Sequence, residues 1–214
     1  MKKIVVRVLG AALLWMVSAL PAAADSFTID SSSGCSNCYG LSWTLIINEV
    51  TGGYTFGGET YQYEAILQVG DDDDVTGTPT ATISAVDFKV SSGITSATIY
   101  QAPTGYQNWP TSVDTLSGGA GAGCKESAAD FVCSESAGAP AAFTGSTLTW
   151  AWYFDSTPLF DDLFGSHIGA KMVALNQPGK LLSEVYVPEP SSLALFALGS
   201  VVVGFGSRRK ARRR

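Results

Sequence analysis

His167 is the only histidine among the 214 residues, so any serine or cysteine nucleophile activated by an imidazole would have to use it. It sits in Gly165-Ser166-His167-Ile168-Gly169, with histidine where a G-x-S-x-G elbow needs its nucleophilic serine. That elbow occurs nowhere in the chain, and a lone histidine opening a strand reads as structural. Asp161-Asp162 offers two carboxylates, and glycoside hydrolysis needs two, about 5–9.5 Å apart across a cleft. Neighbours on an extended segment point to opposite sides, so this pair, between Pro158 and Gly165, reads as a solvated loop. No catalytic residue is assigned.

Two other clusters could bind rather than react. Asp71-Asp72-Asp73-Asp74 sets four carboxylates side by side after a strand. Their mutual repulsion is what a bound cation would relieve, and calcium takes six to eight oxygen ligands. The spacing is not that of an EF-hand, and a solvated turn needing no cofactor is the simpler reading. Tyr100, Tyr106 and Trp109 lie in or beside the loop-like run Gln101–Pro110. Tyr106 and Trp109 could stack on a sugar ring if their faces are open; the competing reading has Trp109 plugging one end of the fold.

The four cysteines form two local pairs, Cys35/Cys38 and Cys124/Cys133. A thioredoxin-like role for the first pair needs a helix N-terminus beneath it, whereas glycines flank it and a strand pattern follows. Zinc would need a second close pair, and eight residues separate Cys124 from Cys133. Disulfides are the expectation for an oxidising compartment. Of three possible connectivities, Cys35–Cys38 with Cys124–Cys133 closes the smallest loops.

The elements that must carry these residues are strands. Trp43, Leu45 and Ile47 share one face, as do Tyr63, Ala65, Leu67 and Val69, then Val86, Phe88 and Val90, then Leu148, Trp150, Trp152 and Phe154. Near the end, Ile168–Leu175 and Leu181–Val187 read as a hairpin turning at Asn176–Gly179. Glycine and proline clusters separate the runs, and helical periodicity is missing between residues 25 and 187. Seven or eight strands with one polar face each predict an all-β, antiparallel two-sheet sandwich of jelly-roll type.

The two ends are built differently. Lys2, Lys3 and Arg7 precede an apolar stretch, Val8–Leu20, and Ala22 and Ala24 occupy the A-x-A positions of a cleavage site. Residues 1–24 therefore read as a signal peptide, leaving a domain over 25–187. At the other end, Pro188-Glu189-Pro190 is followed by an uncharged run, 191–207, and then by Arg208, Arg209, Lys210, Arg212, Arg213 and Arg214. That run, as a helix, spans roughly 25 Å, short but sufficient for one membrane crossing with the basic end inside. This tail resembles the PEP-CTERM sorting signal of Gram-negative bacteria. The resemblance implies an exosortase-type processing enzyme as partner, transient anchoring in the inner membrane, and delivery to the cell surface or extracellular matrix. Gly34–Trp43 and the His167–Val173 and Leu181–Glu184 segments also look similar to the first and last strands of a common type of small PEP-CTERM ectodomain. That type brings no activity with it.

Charge narrows the partners further. Between the two signals only Lys89, Lys125, Lys171 and Lys180 oppose eighteen acids, a net of −14 with no arginine. Nucleic acid is excluded, because backbone phosphates need basic contacts. Three classes stay open: a non-enzymatic surface or matrix protein, a polysaccharide-binding module, and a secreted hydrolase. The first fits best.

Overall fold

A strand with one buried face alternates, and in the computed structural model the alternation falls where the apolar residues do. The structure describes residues 24–185, apart from 34, 36–37, 73–79, 91–92, 117–122, 127–129, 160–162, 164 and 175–176. In chain order the strands are β1 (Asp25–Ile29), β2 (Leu41–Phe56), β3 (Glu59–Asp71), β4 (Ala81–Lys89), β5 (Gly93–Gln101), β6 (Thr111–Ser112), β7 (Thr115–Leu116), β8 (Cys124–Glu126), β9 (Phe131–Glu135), β10 (Ala141–Phe143), β11 (Leu148–Thr157), β12 (His167–Ala174) and β13 (Gln177–Val185). A 3-10 turn, Tyr106–Asn108, follows β5.

Two antiparallel sheets face each other. The first has the order β1-β2-β3-β11-β5 and the second β13-β12-β4-β9-β6, with β10 also paired to β4; β7 and β8 form a small separate ribbon. Between the sheets lie the large side chains: Trp43, Trp109, Trp150, Trp152, Phe88, Phe143 and Phe154 are fully buried. Phe88 of β4 meets Trp152 and Phe154 of β11 at centroid distances of 5.2 and 5.7 Å, which joins the two layers at mid-core. The Trp152 Nε1–H donates to Ser134 Oγ at 2.8 Å, so the indole enters the core without leaving its polar atom unpaired.

The strand order departs from the jelly roll expected. β1, β2 and β3 are successive neighbours on one sheet and β12 and β13 on the other, whereas a jelly roll is built from two Greek keys. A short turn is one reason. Gly57 and Gly58 have φ of 63° and 91°, the two positive values that a two-residue hairpin turn requires, so the chain folds straight back from β2 to β3. The last hairpin also turns earlier than Asn176–Gly179: β13 begins at Gln177, so Pro178 lies within a strand. β13 is an edge strand, where the missing proline N–H disrupts no inner ladder.

Among the described residues no helix is long and apolar enough to cross a membrane. Residues 1–23, the Pro188-Glu189-Pro190 motif and the 191–207 run lie outside the described residues, as does the Asp161-Asp162 pair.

Candidate functional site

Trp109 sits at the end of the 3-10 turn and points inward. It is fully buried, packs edge-on against Trp150 with centroids 5.3 Å apart, and donates its Nε1–H to Thr104 Oγ1 at 2.8 Å. A ring with no open face cannot stack on a sugar, so the Tyr106/Trp109 pair is not a binding platform; Trp109 plugs the sandwich. Tyr106, by contrast, is 40% exposed, and its ring meets Phe56 edge-on at 6.3 Å.

That contact leads to a site that the sequence reading did not anticipate. On β11, Trp150, Trp152 and Phe154 belong to the interior, so Tyr153 projects from the outer face of the first sheet. Tyr54 of β2 stacks on it at 4.1 Å and Tyr100 of β5 at 4.2 Å, with ring planes 20° and 12° from parallel. Two rings at that separation must flank Tyr153 on opposite sides, giving a pile of three. Phe56 and Tyr61 close around it at 6.0 and 6.2 Å. Tyr153 is only 4% exposed although it faces away from the core. The β2–β3 hairpin brings Tyr54 and Phe56 there: between Glu49 and Tyr54 the register slips, and Gly52 and Gly53 take φ of 88° and 77°. Such irregularities bend a hairpin.

The phenols are tied to carboxylates. Tyr100 donates to Glu64, whose second oxygen accepts from Asn48 Nδ2 at 2.7 Å, and Tyr61 donates to Glu59 at 3.1 Å. Asp155 accepts from the Gln62 backbone N–H at 2.9 Å and from Ser96 Oγ at 3.0 Å. Burial, and then the Glu64 carboxylate, push the Tyr100 phenol well above the ordinary tyrosine range. Burial and the neighbouring Tyr54 do the same to Tyr153, and burial with Glu59 raises Tyr61. These phenols stay protonated and act as hydrogen-bond donors.

His167 opens β12 beside a second buried group. Its Nδ1 lies 3.9 Å from Asp87 Oδ1, too far for the hydrogen bond that would orient a catalytic imidazole. Asp87 Oδ2 accepts from Thr115 Oγ1 at 3.1 Å and from the Leu116 backbone N–H at 3.0 Å, so the carboxylate pins β7 onto the second sheet. Burial raises its pKa to about 6, opposed by the bonds from Leu116, Thr115 and the Gly169 N–H. Burial, and secondarily Lys89, lower the His167 pKa to about 4. The Phe131 ring packs edge-on against the imidazole. Ser166 is fully buried, immediately before β12.

The acidic run is divided by the structure. Asp71, which ends β3, is exposed, whereas Asp72 is 4% exposed. Its Oδ2 accepts from the Ser31 backbone N–H at 2.8 Å and its own N–H donates to the Gly40 carbonyl at 3.0 Å, tying the β1–β2 connection to the end of β3. Asp73 and Asp74 lie outside the described residues. Among the described residues no group of three or more His, Cys, Asp or Glu side chains is placed to hold a metal. Both cysteine pairs are disulfides, Cys35–Cys38 and Cys124–Cys133.

Comparison with known proteins bears mainly on the tail. Residues 187–210 match the PEP-CTERM protein-sorting motif, so the chain carries the sorting signal of an exosortase substrate. The motif implies an exported protein, sorted to the cell surface and processed by an exosortase-type system. No curated protein matches the chain significantly. A solved structure of an uncharacterized protein from Nocardia farcinica, described as having an immunoglobulin-like fold, aligns with 78% of this chain and 90% of its own. Its identity is 14% and its TM-score 0.32, too loose a likeness to argue from.

Proposed function

We propose that the chain is a non-enzymatic protein of the cell surface or extracellular matrix, exported by residues 1–24 and sorted by its tail. The observation that carries this reading is the sorting motif at 187–210, at the end of a disulfide-bonded all-β domain. In this reading the signal peptide is cut before Asp25, the first residue of β1. The 191–207 run then holds the protein in the inner membrane until an exosortase-type enzyme acts near Pro188-Glu189-Pro190. The domain needs no cofactor. Asp72 supports that part of the reading, since its carboxylate closes a turn of the protein itself.

A second reading, a polysaccharide-binding module, is favoured by one observation: aromatic rings left partly open on the outer face of the first sheet. Both readings share the route to the surface. Replacing Pro188, Glu189 and Pro190 together by alanine in a host with an exosortase system tests that route. The variant is expected to accumulate in the membrane fraction while the parent reaches the surface. Equal surface delivery of the two would overturn the proposal.

A further inference from the structure

We propose that the outer face of the first sheet binds a neutral polysaccharide on a platform made by Tyr54, Phe56 and Tyr106. The inference deepens the second reading above and relies on it only for where the ligand is met. Tyr54 is 44% exposed and Tyr106 40%, with the half-buried Phe56 ring edge-on to Tyr106. Behind them Tyr54 is stacked on Tyr153, which is stacked on Tyr100, which is hydrogen-bonded to Glu64. The platform is therefore held in place before any ligand arrives, which lowers the ordering cost of binding. A pyranose ring presents an apolar C–H face with a polar rim, and tyrosine matches it with an apolar ring and a hydroxyl. The exposed Gln107 beside Tyr106 and the exposed Gln62 beside Tyr61 add amides that can donate to and accept from sugar hydroxyls.

Charge selects the class of glycan. The five strands of this sheet contain no lysine or arginine; the four lysines of the domain lie on β4, β8, β12 and β13. A polymer bearing carboxylates or sulfates would meet only like charge. The nearby acids are engaged by the protein, Glu59 by Tyr61, Glu64 by Tyr100 and Asn48, Asp155 by Gln62 and Ser96, and among the described residues no three such groups are placed to hold a metal. A neutral sugar polymer is the ligand that needs nothing this face lacks.

The full-length protein, purified in mild detergent, is run through native gels containing mixed-linkage β-glucan, galactomannan, dextran or polygalacturonate. Retardation by at least one neutral polymer and none by polygalacturonate is expected. Tyr54→Ala and Tyr106→Ala should each weaken binding about tenfold, the scale of one aromatic contact, while Tyr54→Phe and Tyr106→Phe keep it. If Tyr54→Ala fails to fold, the Tyr106 pair, on a loop, decides alone. Retardation by no neutral polymer, equal retardation by polygalacturonate, or alanine variants that bind as the parent does would overturn the proposal. Tyr54-dependent self-association without glycan binding, read by size-exclusion chromatography, would also overturn it and give the face to a second copy. Because the assay uses purified protein, a failure of surface sorting leaves its result unchanged.

Discussion

The buried Asp87 and the partly buried His167 make a testable pair because their titrations oppose each other. The Asp87 carboxyl, raised from 3.8 to about 6, keeps its proton in the folded protein over a range where the unfolded chain has lost it. Stability from this group is present at low pH and is lost as pH rises from about 4 to 6. The His167 imidazole, lowered from 6.5 to about 4, refuses a proton that the unfolded chain accepts. Its effect has the other sign: stability is lost as pH falls from about 6.5 to 4. At 1.36 kcal/mol per unit each swing is worth about 3 kcal/mol. Their sum is nearly flat in the native protein, so only single variants expose them. Asp87→Asn keeps the shape and an oxygen for the Leu116 N–H, and its stability relative to the parent should rise by about 3 kcal/mol between pH 4 and 6. That of His167→Gln should fall relative to the parent by about the same amount between pH 4 and 6.5. Urea unfolding across that range reads both, and the other carboxylates cancel in the difference from the parent. In melting temperature the swing is roughly 6–12 °C for a domain of this size. If both variants run parallel to the parent, the burial argument for these two groups is wrong.

Two further outcomes follow from contacts described above. Cys124→Ser or Cys133→Ser should lower stability by roughly 2.5 kcal/mol through the opened loop, and non-reducing peptide maps should recover the 35–38 and 124–133 pairs. Asp72→Ala should cost about 1.5–3 kcal/mol by removing a charged hydrogen-bond acceptor, and the parent should melt at the same temperature in chelator and in calcium; a calcium-dependent rise would restore a metal role to the acidic run.

The interior was legible because each sheet buries one face. The alternations at Trp43–Ile47, Tyr63–Val69 and Trp150–Phe154 all mark strands whose apolar side lines the core. The cysteine spacing likewise pointed to the local pairs. The strand order was not legible, since period-two patterning names a strand's faces but not its neighbours. Nor was the inward turn of Asp72, which depends on Ser31 and Gly40 arriving from another connection. The tyrosine pile gathers residues from β2, β3, β5 and β11, and two of them reach it only through the bend at Gly52-Gly53. One signal did exist. Tyr153 stands at an outward position within the Trp150–Phe154 run, where a solvated face would carry a polar residue, and a large ring there marks an outer face that is itself covered.

The proposed function stands on the tail being a processed sorting signal. Mass spectrometry of the protein recovered from the surface of an exosortase-bearing host tests it most directly. A mature C-terminus close to Pro188-Glu189-Pro190 is expected, with the apolar run and basic cluster gone. Surface protein that still ends at Arg214 would contradict it.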